Sequence, residues 1–375
     1  MDKEVKSGFD TNTKQIKVID VFCGAGGLSY GFYKNKNFNL LCANDIEKDM
    51  TETYKANHKD VPVYNMDIKN LNLNLLEKDL NIIKNDIDII IGGPPCQAFS
   101  TVGKRLLDDP RGKLFQDFYR LVKECEPKMF LFENVKGLIS IDKGNLLKHI
   151  INLFKEINYN VEYKVLNACD YGVPQARERV FIVGTLDKKK FDFPKVTHSE
   201  KGCSITNKYI LLKDAISDLP YLDTNDKKDE YVIEPENDYQ KLLKDTDTLT
   251  EHFSPKNNSN LVTLMKELPD GGTPLDVREE IRPKSGFKNT YCRLWWERPS
   301  PTITRNFSTP SSSRCIHPKQ PRPLSPREAL RIQSFPDSYI LKGSASSKKV
   351  QIGNAVPPIL SQKLASSVED YFKNL

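Results

Sequence analysis

The sequence predicts an α/β fold: a doubly wound, mostly parallel sheet with a second, smaller irregular domain. Three observations lead there. Short apolar runs alternate with helix-period segments through the first half of the chain, a glycine cluster follows the first run, and the alternation stops over residues 190–290. Alternation of this kind is the pattern of βα units packed as a parallel sheet between helical layers. The chain has 375 residues, 38% of them hydrophobic, enough to bury the core of one large domain or two moderate ones.

The elements follow in order. Residues 18–22 (VIDVF) are the first strand, closed by glycines, and the segment from residue 28 is a helix. Residues 39–43 and 61–64 are the second and third strands, with a helix over 47–57 between them. Residues 86–91 (DIDIII) are the fourth strand, broken by Gly92-Gly93-Pro94-Pro95. A helix over 112–125 stops before Pro127, and residues 129–132 are the fifth strand. An amphipathic helix over 146–157 precedes strands at 161–166 and 179–184. Regular patterning returns near Ser325 and ends in a helix over 360–372. The predicted division is a catalytic and cofactor-binding part at 1–189, completed by 322–375, and a recognition part at 190–321.

Composition excludes several classes. No apolar run approaches the roughly 18 residues of a membrane span, and the first residues are polar, so a cytoplasmic protein is expected. Eight scattered cysteines with no CxxC predict neither a disulfide frame nor a zinc site, so no metal is expected. The net charge of +6 permits a nucleic-acid partner without requiring one. That charge is unevenly spread. Residues 188–290 carry 17 Lys plus Arg against 19 Asp plus Glu, whereas residues 282–331 carry 11 basic residues against Glu297 and Glu328.

Four segments can carry chemistry. Glycines at 24, 26 and 27, where a strand meets a helix, let a ligand approach the backbone at the sheet's carboxyl edge. Asp45, about twenty residues on, could accept both ribose hydroxyls of a nucleoside cofactor, and Asp67 could reach an adenine amino group. A tight turn with two capping aspartates is the plainer alternative, and NAD is the weaker nucleoside option. Cys96 follows two prolines at the end of the fourth strand, where a thiol faces the ligand crevice but needs help to ionise. The following residues 98–112 carry Lys104, Arg105 and Arg111 and could form a basic lid. Glu133 ends the fifth strand, and partial burial there would suit it to protonating a substrate nitrogen. Arg177 and Arg179, at i and i+2, could hold a carbonyl, a phosphate or Glu133.

Taken in order, DVFCGAGGLSYGF (20–32), GGPPCQAFS (92–100), ENV (133–135), QARERVF (175–181), LSPREALRIQSFPD (324–337) and GNAVPP (353–358) resemble the cytosine-5 DNA methyltransferase family. The resemblance implies a Rossmann-like methyltransferase sheet, S-adenosyl-L-methionine as cofactor, and flipping of a cytosine from double-stranded DNA. It implies that Cys96 attacks carbon 6, that Glu133 bonds nitrogen 3, and that Arg177 and Arg179 fix the base carbonyl and brace the site. It places Phe22, Gly24, Ala25, Gly26, Gly27, Leu28, Asp45, Ile46, Asp67, Ile68, Pro94, Asn354 and Val356 around the cofactor. The DNA contacts expected are Gln97, Ser100, Lys104, Arg105, Arg111, Arg293, Arg298, Thr302, Thr304, Arg305 and Asn306. Arg327 and Glu328 are expected to brace the recognition part. The implied setting is a bacterial restriction–modification pair, with a monomeric enzyme sharing its site with a cognate endonuclease.

Overall fold

A computed structural model describes residues 15–95, 113–284 and 286–375. The first half alternates strands and helices: β1 (Ile16–Val21), α1 (Gly27–Tyr33), β2 (Phe38–Asp45), α2 (Lys48–Asn57), β3 (Val63–Asn65), α3 (Leu73–Leu80), β4 (Ile89–Gly92), α4 (Lys113–Cys125), β5 (Met129–Val135), α5 (Asn145–Glu156), β6 (Asn160–Asn167) and β7 (Glu178–Thr185). These strands form one seven-stranded sheet in the order β3-β2-β1-β4-β5-β7-β6. Only β7 runs against the rest, pairing antiparallel with both β5 and β6. Its connection from β6 is too short for a crossover, so β7 must return as a hairpin partner.

The apolar runs explain the layers. In β4, Ile89 and Ile91 join one apolar cluster while Ile90 joins the other. Met129 and Leu131 likewise oppose Phe130 and Phe132 in β5. A strand covered on both faces has to be apolar at every position, which is why these segments read as continuous runs. Each such side chain contributes about 1.5–3 kcal/mol by leaving water. Helices α4 and α5 cover one face through Phe118, Leu121 and Phe154. Helix α1 covers the other, backed by the C-terminal helix over Pro358–Lys373. Helix α3 was not anticipated; Asn72 caps it by accepting from Leu75 N at 3.0 Å.

After β7 the regular elements become short: α6 (Leu212–Ile216), α7 (Asp238–Leu243) and α8 (Ser259–Glu267). Leu212, Ala215, Ile216, Tyr239 and Leu243 nevertheless join the sheet's own apolar cluster. Leu264, Met265, Leu268, Val277 and Ile316 form a separate small cluster. The chain then returns as α9 (Pro326–Ile332), α10 (Ala345–Asn354) and α11 (Pro358–Lys373). Helix α11 seals α1: Gly31 N donates to Ser361 Oγ at 2.9 Å. Among the described residues, no helix is long and apolar enough to cross a membrane.

Candidate active site

The strand order reverses between β1 and β4, and a cavity of about 680 Å³ opens at the carboxyl ends of these strands. That is where doubly wound sheets bind ligands, and the size lies within the usual range for small-molecule sites. Phe22, Gly24, Ala25, Gly27 and Leu28 line it from the β1–α1 turn, Asp45, Ile46, Asp67 and Ile68 from the ends of β2 and β3, and Asn354 and Val356 from the C-terminal return. Gly26 and Pro94 do not line it. Gly26 instead caps α1 in the left-handed conformation (φ 85°). Pro94 is buried with its carbonyl accepting from Asn134 Nδ2 at 3.0 Å, and Pro95 takes the place at the rim.

The glycine turn is held open by its surroundings. Asp45 Oδ2 accepts from Gly24 N and Oδ1 from Glu47 N, both at 2.9 Å. Burial raises the Asp45 carboxyl above its usual range, and these amide bonds oppose the rise. Gly27 is required by close approach, because a Cβ there would stand 2.3 Å from the Val356 carbonyl. The chemistry of the lining fits a cationic nucleoside. Asp45 offers a carboxylate beside exposed Ile46, and Asp20 lies buried at the cavity with neither carboxyl oxygen partnered. Burial pushes the Asp20 carboxyl up to about 8. A cation beside this carboxyl would draw it back to its ionised form. The face contributed by α10, including Ser347, Val350 and Gln351, had not been anticipated. Its signal was Ser344, an N-cap that accepts from Ser347 N at 3.1 Å.

At the inner wall, Arg179 Nε stands 3.1 Å from Glu133 Oε1, both side chains nearly buried. Burial raises the Glu133 carboxyl above its ordinary range, and Arg179 and Arg177 pull against that rise. The Gly-Gly-Pro-Pro segment passes directly over this carboxyl: a Cβ on Gly93 would lie 3.0 Å from Glu133 Oε2. Cys96 and the basic segment with Gln97, Ser100, Lys104, Arg105 and Arg111 lie outside the described residues.

Arg177 has a different job from Arg179. It is fully buried, donating to Ile303 O at 3.0 Å and to the Gly353 and Asn354 carbonyls at 3.1 and 3.2 Å. Burial lowers its guanidinium to about 9. It therefore braces the junction of three segments and has no donor aimed at a ligand among these bonds. Gln175 reinforces the same junction: it accepts from Ile303 N and donates to Gln333 Oε1, both at 2.7 Å. The role of this glutamine was not foreseen. Gly353 is needed here too, since a Cβ would stand 2.2 Å from Arg305 N.

The expected DNA contacts divide. Arg298 and Arg305 are exposed, and Arg298 lies over the Trp295 ring at 5.4 Å. Thr304 is exposed and Asn306 half-buried beside it, with Asn306 N donating to Thr304 Oγ1 at 3.2 Å. Thr302 is half-buried and donates to Ala176 O at 2.8 Å. Arg293 is a correction. It is buried, and its guanidinium donates to the carbonyls of Leu268, Gln320, His317 and Met265, so it braces the small cluster and cannot meet DNA. Three further arginines of the basic stretch are internal as well. Arg322 pairs with Glu328, Arg327 with Asp337, and Arg331 with Asp218 and Asp337, all buried. Part of the local excess of positive charge is therefore internal, while Arg282, Lys284, Lys288, Arg298, Arg305 and Lys319 remain exposed.

Comparison with known proteins decides the family. The model of the C-5 cytosine-specific DNA methylases matches residues 16–370. The chain belongs to this family. It is 38% identical to Type II methyltransferase M.DdeI of Desulfomicrobium norvegicum, covering 96% of this chain and 90% of the relative. It is 34% identical to Type II methyltransferase M.AgeI of Thalassovita gelatinovora, covering 94% and 99%. Its fold is similar to a crystal structure described as a prophage-encoded DNA modification methyltransferase of E. coli, at TM-score 0.76 and 26% identity, over 96% of this chain and all of that one. The described parts of the six segments that carry the family resemblance meet at the cavity and at the Gln175–Arg177 junction behind it.

Proposed function

We propose that this family member is the modification enzyme of a restriction–modification system, using S-adenosylmethionine to methylate carbon 5 of a cytosine flipped from duplex DNA. The observation that carries the reading is the Glu133–Arg179 pair, held beneath the Gly93–Pro94 backbone at the wall of a nucleoside-sized cavity. Burial raises this carboxyl, which favours sharing a proton with nitrogen 3 of the base. Three residues on, Cys96 is the nucleophile. Its thiolate adds to carbon 6, forming a C–S bond and pushing an electron pair to carbon 5. The cofactor supplies an electrophilic methyl group to that carbon. Loss of the carbon 5 proton to a base, water included, then expels the thiolate and restores the ring. Glu133 offsets the charge that develops at nitrogen 3 during addition. Arg179 orients Glu133 and faces the base carbonyl, while Arg177 holds the wall behind it. Asp45, Asp67 and the glycine turn would hold the adenosine part of the cofactor, and Asp20 would offset its positive charge.

Residues 190–321 serve as the target-recognition part, with Arg298, Arg305, Thr304 and Asn306 as its DNA contacts. A role in host DNA modification places the enzyme in the bacterial cytoplasm, sharing its site with a cognate endonuclease. The test is transfer of labelled methyl groups to duplex DNA or to tRNA. Label in duplex DNA, and a covalent adduct with a 5-fluorocytosine duplex that is lost in Cys96→Ala, is the expected result. Label in tRNA alone overturns the reading.

A further inference from the structure

Phe287 is the most exposed large apolar side chain among the described residues, at 86%. Isolated surface hydrophobics usually carry no message, but three features set this one apart. First, it sits on a closed turn. Phe287 N donates to Thr290 Oγ1 at 3.0 Å, and Phe287 O accepts from Thr290 Oγ1 at 2.8 Å and from Thr290 N at 3.0 Å. Thr290 itself is buried, so the turn is braced from beneath while the ring projects into solvent. Second, the turn is basic. Lys284 and Lys288 are exposed on either side, and no acidic residue occurs between Glu280 and Glu297. Third, the residue after the turn is tied to the segment that carries an Arg177 contact. Tyr291 N donates to Pro310 O at 2.6 Å, joining it to the loop that begins at Ile303, whose carbonyl binds Arg177.

We propose that Phe287 is the apolar wedge that enters the DNA stack and fills the space left by the flipped cytosine. The inference rests on the function proposed above and names the side chain that stabilises the flipped state. An extruded base leaves an apolar hole between its neighbours, and an aromatic ring recovers stacking there. Flanking lysines meet the phosphates on either side of that hole. A ring on a two-sided hydrogen-bonded turn enters with little loss of conformational freedom.

The experiment uses the full chain and a duplex carrying 2-aminopurine at the target position, once bisulfite sequencing has located it. Emission of this probe rises when it leaves the stack. In Phe287→Ala, the emission rise on this duplex, and the rate of methyl transfer to the same site carrying cytosine, are expected to fall by at least about fivefold. Affinity for a duplex without the site and the thermal midpoint should stay unchanged. A mismatch opposite the probe, which weakens the stacked state, should restore emission in the variant, and Phe287→Leu should restore part of it on matched DNA. An unchanged flipped fraction in Phe287→Ala, or an equal loss of affinity for every duplex, overturns the wedge and leaves the methylation reading intact. Absence of both emission and methyl transfer in the unaltered protein overturns the methylation reading itself, and the wedge with it.

Discussion

Glu133 shows how one residue's surroundings set its chemistry. Burial raises its carboxyl above the ordinary range, and the guanidinium 3.1 Å away opposes that rise. Glu133→Gln keeps the shape and removes the exchangeable proton. Single-turnover methyl transfer should fall by about 100-fold or more, with little change in thermal midpoint. Asp20 makes a prediction with a definite sign. Its folded-state value of about 8 lies above the ordinary carboxylate value, so the folded state binds the extra proton between the two. The stability of the cofactor-free protein should therefore fall as pH rises from about 4 toward about 8. Denaturation at several pH values should show that slope weakened in Asp20→Asn; an unaltered slope would exclude Asp20 as its source.

At the scale of elements, the C-terminal return is what ties residues 190–321 to the sheet. Helix α9 begins with Ser325 and Glu328 in a reciprocal cap, and Glu328 also binds Arg322 through two bonds of 2.6 and 2.9 Å. Burial alone would raise the Glu328 carboxyl, yet Arg322 and His317 hold it well below the usual range. Its contribution to stability is then present above the unfolded carboxylate value and lost as pH falls below it. Glu328→Gln leaves the Arg322 charge buried without a counterion, which should cost about 3–5 kcal/mol in urea unfolding. Gly353→Ala tests a different joint. Its methyl would collide with Arg305 backbone, so the Arg177 carbonyl contacts should loosen and methyl transfer should drop more than affinity for S-adenosylmethionine.

For the molecule as a whole, ligand linkage separates the cofactor choices. S-adenosylmethionine at 100 times its dissociation constant should stabilise the fold by about 2.7 kcal/mol, whereas NAD should not shift the thermal midpoint. By itself the sequence determined the sheet, because strands buried on both faces must be apolar throughout and the βα alternation allows few topologies. It also placed two candidate site segments, since the glycine turn and Glu133 sit at the carboxyl ends of parallel strands whose position follows from that topology, whereas Arg179 reaches Glu133 only through the antiparallel pairing of β7. The antiparallel return of β7, the cavity face of α10 and the role of Gln175 were not legible, because each depends on partners more than a hundred residues away or on a hairpin that leaves no period in the sequence. Charge was the least legible quantity. A count of Lys and Arg over residues 282–331 cannot distinguish Arg298, which is exposed, from Arg293 and Arg331, which are buried. Only the tertiary structure brought Asp218 to Arg331 and the Leu268 carbonyl to Arg293, and a guanidinium matched inside the protein has little left to offer a phosphate.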